Sequence, residues 1–382
     1  MTKPIYLDNH ATTPTDKRVL NSMYPYFNEK FGNSSSIDHI YGNEALEAIN
    51  ESREKIAKLI NAESEEIIFT SGATECDNLA LFGIARHYKE KGNHIITSVI
   101  EHKAILDSCK QLESLGYKIS YLDVNKDGLI DIEQLKKLLN PKTILISIMA
   151  ANNEVGTIQP LEDIGKIAHE NGIFFHTDAA QAFGHIPLDV KKTNIDLMSI
   201  SGHKIYGPKG IGALFIRNNP NVKLTPIMFG GGHENGFRSG TLNVPGIVGL
   251  GKAAEIAGQE MNKSAERLRY LRNKLYEGIS EKTKVEINGN LNKNLSHSLN
   301  LFFDGIEAKA LINEVKDEVA ISSGSACTSK DVNPSHVIIA LGYDEDRAFS
   351  SIRIGLGRFT SEEDIQKTID VITEAAIKLK NM

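Results

Sequence analysis

Apolar and polar positions along this chain follow two rhythms, and the switches between them outline a fold before any chemistry is considered. From about 43 to 60, Ala45, Ala48, Ile49, Ile56, Leu59 and Ile60 recur at helical spacing, which predicts a helix with one buried face. Short apolar runs then alternate with helical stretches. Strands are expected at Ile67–Thr70, His94–Val99, Lys118–Leu122, Thr143–Met149, Ile173–Thr177 and Ile195–Ile200. The stretches Glu75–Lys89, Ala104–Leu115, Ile130–Leu139 and Leu161–Asn171 repeat apolar residues at helical intervals. Strands and helices alternating at this length predict an α/β protein with a mostly parallel, doubly wound sheet. Ligands of such sheets gather at the carboxyl ends of the strands.

The two ends of the chain read differently. Before residue 43 the sequence is mostly irregular, with turn formers from His10 to Asp16 and a Gly-Asn-Ser-Ser-Ser loop at Gly32–Ser36. After Phe229 a flexible, polar, glycine-rich loop runs to Thr241, followed by a long helix from about Ile247 to Ile279. The remainder predicts a smaller α+β unit. It has a strand at Ser298–Phe303, helices at Glu307–Val315 and Ser335–Leu341, and a strand at Ser351–Ile354. Thr360-Ser361-Glu362-Glu363 announces a capped terminal helix. Two domains are expected: a large one over 15–260, and a small one formed by 1–14 with 261–382.

Composition narrows the function. The chain has 382 residues, 41% of them hydrophobic and 24% charged, within the ordinary globular range. A formal net charge of −6 leaves no electrostatic footprint for nucleic acid or an anionic membrane. The N-terminal residues lack the apolar core of a signal peptide, and no apolar run approaches the ~20 residues of a membrane span. Cys76, Cys109 and Cys327 are far apart and form no CxxC pair. An odd count without a framework points to a reducing, cytoplasmic setting and away from structural zinc. Asp123–Asp131 imitates the start of a calcium loop, but Gln134 stands where the bidentate acid belongs. Gly202–Gly207 has Walker spacing, yet Pro208-Lys209-Gly210 replaces the Lys-Ser/Thr that nucleotide binding requires.

The candidate chemistry collects at predicted strand ends. Asp178 and Lys204 lie 26 residues apart (204 − 178), at the ends of two successive strands. A plain ion pair would suit them, but pyridoxal phosphate accounts for more. Its aldehyde needs a lysine, its ring nitrogen a carboxylate, and its phosphate a helix N-terminus with hydroxyl donors. Ser71-Gly72-Ala73-Thr74 offers that terminus, and Ser201 and His203 flank the lysine. His102 could stack on the ring, and Gln181 could donate to its hydroxyl. Cys327 is a further candidate. It lies in Ser322-Ser323-Gly324-Ser325-Ala326-Cys327-Thr328-Ser329, a run too poor in apolar surface to bury it. A free thiol with a pKa of about 8.5 supplies some thiolate near neutrality, and a mobile loop could carry it to a cofactor. Cys76 and Cys109 fall on helical segments and read as buried and inert.

These residues carry a resemblance over nearly the whole chain. The sequence resembles cysteine desulfurases of the NifS/IscS type, in the class V aminotransferase family of fold-type-I pyridoxal phosphate enzymes. The specific stretches are Tyr6–Asn9 with Ala11–Pro14, Phe69–Glu75, Thr97–Lys103 and Asn152–Gly156. They continue with Asp178–Gln181, Ser201–Gly212, Gly230–Thr241, Ser322–Ser329 and Ser350–Phe359. The Ser-Gly-Ser-Ala-Cys-Thr-Ser run is similar to the long-loop group of that family.

The resemblance implies roles by position. Lys204 would form the Schiff base, Asp178 would hold the ring nitrogen, and Gln181 and Asn153 would lie near the ring oxygen. His102 would stack and shuttle protons. Ala73, Thr74, Ser201 and His203 would bind phosphate, with Thr241 contributed by the partner subunit of a homodimer. Arg353 would clamp the carboxylate of L-cysteine, with Asn153 also on the substrate. Cys327 would take the sulfur as a persulfide, leaving L-alanine, and pass it to iron–sulfur cluster assembly, tRNA thiolation or both. No resident metal is implied; Cys327 could be a transient iron–sulfur ligand shared with a scaffold protein. Ser34 stands where the family commonly has proline. The chain stops at Met382 shortly after its last helix, which argues against docking a scaffold through a C-terminal tail. The competing readings are another class V enzyme, such as a selenocysteine lyase or an aminotransferase, and a relay protein with little turnover of its own.

Overall fold

The computed structural model describes residues 3–218, 222–324 and 333–381. In chain order the described strands are β1 (Ile5–Tyr6), β2 (Ile67–Thr70), β3 (His94–Ser98), β4 (Lys118–Leu122), β5 (Thr143–Ser147) and β6 (Phe174–Asp178). They continue with β7 (Leu197–Ser201), β8 (Gly212–Ile216), β9 (Val285–Ile287), β10 (Ser298–Phe303), β11 (Val319–Ala320) and β12 (Ser351–Gly355). Seven form one sheet in the order β2-β8-β7-β6-β5-β3-β4, parallel except for β8, which runs against both of its neighbours.

Period-two alternation sends each strand's side chains to two different cores. Ile67 and Phe69 of β2, Phe175 of β6 and Met198 and Ile200 of β7 pack on one face, under helices Ile40–Leu59, Leu161–Glu170 and the start of Val244–Ser280. Ile68, Phe174 and Leu197 turn to the other face, under helices Ala73–His87 and Lys103–Ser114. Both faces being covered explains why the strands read as near-continuous apolar runs.

A separate core forms around the antiparallel sheet β12-β10-β9, with helices Ala308–Val315 and Glu362–Lys380. Leu7 belongs to this core, and β1 pairs in parallel with β11, so the first strand packs with the end of the chain. Helix Val244–Ser280 has 37 residues and is roughly 55 Å long. Its apolar residues from Val244 to Ile256 join the first core and those from Leu268 to Ile279 the third.

Several elements depart from the expectations above. Helices Lys17–Met23 and Pro25–Asn28 replace part of the irregular first segment, with Asp16 capping the first of them. Strand β8 was not expected at all. The terminal helix does have a capping box, but Ser361 pairs with Asp364, not with the glutamates: Asp364 N donates to Ser361 Oγ (3.1 Å) and Ser361 N to Asp364 Oδ2 (2.9 Å). The glycine-rich loop is anchored. Glu234 is buried, accepts from Phe69 N at 2.7 Å and pairs with Arg53 at 2.8 Å, while Arg238 pairs with Glu75 at 2.8 Å. The calcium-like run closes as a turn bridged by Val124 and Ile130, after which Asp131 caps the next helix.

Candidate active site

A cavity of ≈ 540 Å³ opens at the carboxyl ends of β6 and β7. Strand β7 delivers the buried Ser201, then a single 3₁₀ turn, Gly202–Lys204, presents Lys204 to the cavity. The turn is tied down by Gly202 N donating to Ile211 O (3.0 Å) and Gly207 N to Gly202 O (3.0 Å). Lys204 Nζ donates to the carbonyls of His10 and Ala11, the latter at 2.9 Å. Those residues come from the strap after β1, so the far end of the chain helps to set the amine.

Asp178 ends β6 on the same side and is 6% exposed. Its Oδ1 accepts from Ala180 N at 2.8 Å. Burial pushes its pKa up, opposed by that hydrogen bond and by the charges of His102 and Lys204. A cationic N–H beside this carboxyl would offset its desolvation. His102 is the N-cap of helix Lys103–Ser114; its Nδ1 accepts from Ala104 N at 3.1 Å, which fixes the ring's orientation and leaves the proton of the neutral ring on Nε2. Gln181 lines the cavity too, with both ends of its amide on His10: Nε2 donates to His10 O and Oε1 faces His10 Nδ1, each at 3.0 Å.

Ser71, Gly72, Ala73 and Thr74 bring the start of helix Ala73–His87 to the cavity wall. Gly72 precedes the helix at φ +153, a conformation that favours glycine. Among the described residues no side chain caps this terminus, so its first N–H groups are suited to an anion. Gly212 of β8 lies so close to Gly72 that a Cβ there would stand 2.6 Å from the Gly72 Cα. His203 is held by Thr12 Oγ1 at 3.1 Å. Burial, helped by the charges of Lys204 and Lys209, lowers its pKa to about 4, so it meets an anion as a neutral donor.

Arg353, on β12, reaches the cavity from the third core and is 1% exposed. Its Nη2 donates to Asp8 Oδ1 at 2.9 Å and its Nη1 to Asn153 O at 3.0 Å, while Nε has no partner among the described residues. Asn153 is itself buried and lines the cavity. Of the expected site residues, Ala73, Thr74, His102, Asn153, Asp178, Gln181, Ser201, His203, Lys204 and Arg353 therefore share one cavity. Thr241 is exposed on the anchored loop and does not line it. Cys327 lies outside the described residues.

The cavity also holds residues that sequence reasoning passed over. His10 enters on the N-terminal strap, far in sequence from everything it touches. Asp77 lies one helical turn beyond Ala73, a spacing that could have flagged it. It is fully buried, 3.7 Å from His176 Nε2, and desolvation together with the nearby Asp178 charge raises its pKa well above the carboxylate range. Among the described residues no group of three or more His, Cys, Asp or Glu could hold a metal ion.

Comparison with known proteins places this geometry. Residues 5–368 match the family described as Aminotransferase class-V. The chain is 53% identical over 381 residues to a probable cysteine desulfurase, mitochondrial, of Dictyostelium discoideum, covering 100% of this chain and 84% of that one. It is 52% identical over 380 residues to the cysteine desulfurase IscS of Rickettsia bellii, covering 99% and 92%. Among solved structures, a NifS-like protein aligns with a TM-score of 0.92 at 39% identity, covering 98% of this chain and 100% of that one. A structure of SspA in complex with cysteine aligns with a TM-score of 0.83 at 41% identity, covering 94% and 100%.

Proposed function

The chain belongs to the class-V aminotransferase family, and on that footing we propose that it is a cysteine desulfurase that removes sulfur from L-cysteine to leave L-alanine. Relatives about half identical over essentially the whole chain are named for that activity, and one similar structure is a complex with cysteine. One observation carries the site assignment: Lys204 and Asp178 meet at a single cavity whose wall is an uncapped helix N-terminus.

The family's enzymes use pyridoxal phosphate, and the residues present fit it. Asp178 is a dry carboxyl suited to a ring N–H, the terminus at Gly72–Thr74 to phosphate, and Lys204 to the aldehyde. When bound, the cofactor supplies an electron sink for the pair released at the substrate Cα. Asp178 would hold the ring nitrogen in its protonated form, and Ser201 and His203 would help to hold the phosphate. Arg353 orients the substrate through its carboxylate, for which a guanidinium fork is suited. Lys204 and His102 move protons at the reacting carbons. The thiolate of Cys327 attacks the substrate sulfur; an S–S bond forms, the C–S bond breaks, and its electron pair stays with Cβ, which takes a proton. The products are L-alanine and a persulfide on Cys327.

The finer reading follows the same support. Thr241, exposed on a loop pinned by Glu234 and Arg238, suits a residue that completes the cavity of a second copy in a homodimer. The third core, which includes Leu7, supports a small domain of 1–14 with 261–382 and a large one of 15–260. Among the described residues no helix is long and apolar enough to cross a membrane; three cysteines without a framework favour a cytoplasmic location. Iron–sulfur assembly and tRNA thiolation are the proposed sulfur acceptors.

Anaerobic incubation with L-cysteine, followed by intact mass and peptide mapping, tests the reading. A one-sulfur adduct on Cys327, with alanine released in amounts exceeding the protein, is the expected result. Turnover of L-cysteine that survives Cys327→Ala undiminished would overturn it in favour of another class-V activity.

A further inference from the structure

Three histidines beside Lys204 take no part in the chemistry above. His10 comes from the strap after β1, His185 from the segment after β6, and His297 from the residue before β10. The His10 and His297 rings are stacked, 4.7 Å between centroids and 25° between planes, and His185 packs on the other partner, His297, at 4.4 Å and 36°. His10 and His297 are buried, 1% and 3% exposed. The three do not form a metal site.

The two ends of this stack both return to Lys204. The His10 carbonyl accepts from Lys204 Nζ and from Gln181 Nε2. Because Gln181 gives its amide N–H₂ to that carbonyl, its oxygen faces His10 Nδ1, which therefore carries the ring proton. At the other end His185 Nε2 lies 3.0 Å from Lys204 O and donates to it. The contacts thus run in a circuit, from the lysine amine through His10, His297 and His185 to the lysine's own main chain. His10 Nε2 and His297 Nδ1 have no hydrogen-bond partner among the described residues, so ring contact joins the middle of the circuit.

Burial keeps the stack neutral, and the surrounding charges add to it. After burial, the charged side chains acting on the rings are Arg353 and Lys204 on His10 and Arg358 on His185, while His297 is lowered first by His185 and His10 and then by Arg272. His10 is lowered to about 3, His185 to about 4, and His297 well below its ordinary value. Uncharged rings stack without mutual repulsion and add no second cation beside the amine.

We propose that His10, His185 and His297 are positioning residues for Lys204, the stacked rings holding the circuit closed and so fixing where the amine stands. The inference rests on the reading of Lys204 as the residue that takes up pyridoxal phosphate. It ties that lysine, through the residue before β10, to the core that also carries Arg353.

The test uses the full-length protein stripped of cofactor and reloaded. Pyridoxal phosphate is added, samples are quenched with borohydride at intervals, and the adduct on Lys204 is followed by peptide mass. Three variants are compared with the wild type, and circular dichroism and thermal unfolding report folding. His297→Ala should slow adduct formation about 3- to 10-fold, the worth of a lost stacking contact. His297→Phe, which keeps a ring without nitrogens, should restore the rate to within about twofold. His185→Phe keeps the stack and loses the bond to Lys204 O, and should be slowed about 2- to 10-fold. His297→Ala reacting like the wild type, or His297→Phe as slow as His297→Ala, overturns the inference. Should His297→Ala not fold, the comparison of His185→Phe with His297→Phe decides it, equal rates being the overturning result. A wild type that forms no adduct on Lys204 overturns instead the reading on which the inference rests.

Discussion

Asp178 is paired across the sheet with Ser199, two residues before the end of β7, so Asp178 and Lys204 reach one cavity from adjacent parallel strands. The carboxyl is dry and the lysine stands on a short turn, an arrangement that leaves little freedom to either. Asp178→Asn keeps the shape and the bond to Ala180 N but loses the charge. It should lower turnover of L-cysteine by about 10²- to 10³-fold, the usual effect of removing one preorganised electrostatic partner. Steady-state alanine release checks this, with cofactor content measured in parallel. Turnover within a few-fold of the wild type would mean that Asp178 does not face the ring nitrogen.

Arg353 is the largest wholly buried side chain among the described residues, and its partner Asp8 lies at the start of the chain. Arg353→Lys retains charge but not the planar fork. KM for L-cysteine should rise by about 10- to 100-fold, with a smaller change in kcat. Arg353→Ala also strands Asp8, and should destabilise the fold by about 3 kcal/mol. Denaturant unfolding of the two variants, beside their kinetics, separates the two effects.

The parallel strands and the chemistry at their ends were legible because burial on both faces writes an uninterrupted apolar run that stops where the site begins. Ile195–Ile200 followed by Lys204 is the plainest case. Strand β8 was not legible, since its glycine start merges with the turn Gly207–Gly210 that follows Lys204. Helix Lys17–Met23 buries only Val19 and Met23, too few positions for a period to show. The site lost what arrives from a distance. His10 meets Gln181 across 171 residues, a relation that no local pattern encodes. Asp77 was within reach, one turn beyond Ala73 on the helix already assigned to phosphate.

Cys76 and Cys109 are buried, and desolvation raises both thiols, Cys109 to about 12. Cys76 Sγ also lies 3.0 Å from Thr70 Oγ1 inside the core. Neither should react when the native protein is treated with iodoacetamide near neutrality, because the thiolate is the nucleophile. One carbamidomethyl group, mapped to Cys327, is the expected product; Cys327→Ala should take up none and form no persulfide from L-cysteine. Labelling at Cys76 or Cys109 without denaturant would contradict the burial seen here.

Glu101 is wholly buried beside His102, and desolvation raises its carboxyl from 4.5 to about 8, although Ser98 Oγ (2.6 Å) and Met149 N (2.9 Å) both donate to Oε1. The nearby Asp178 charge adds to the rise. In the unfolded chain the same carboxyl ionises near its ordinary value, so between about pH 4.5 and 8 the folded state holds one proton more than the unfolded. Stability contributed by this group is therefore lost as pH rises through that window, at up to about 1.4 kcal/mol per unit, and levels off above it. Glu101→Gln cannot ionise and its oxygen can still accept both hydrogen bonds. Its thermal midpoint relative to wild type should climb steadily from pH 5 to pH 8, the slope of the wild type being reduced but not abolished because Asp77 and Asp178 are raised as well. Thermal unfolding across that range measures the difference directly. A constant offset between the two proteins would mean that Glu101 is already ionised in the fold.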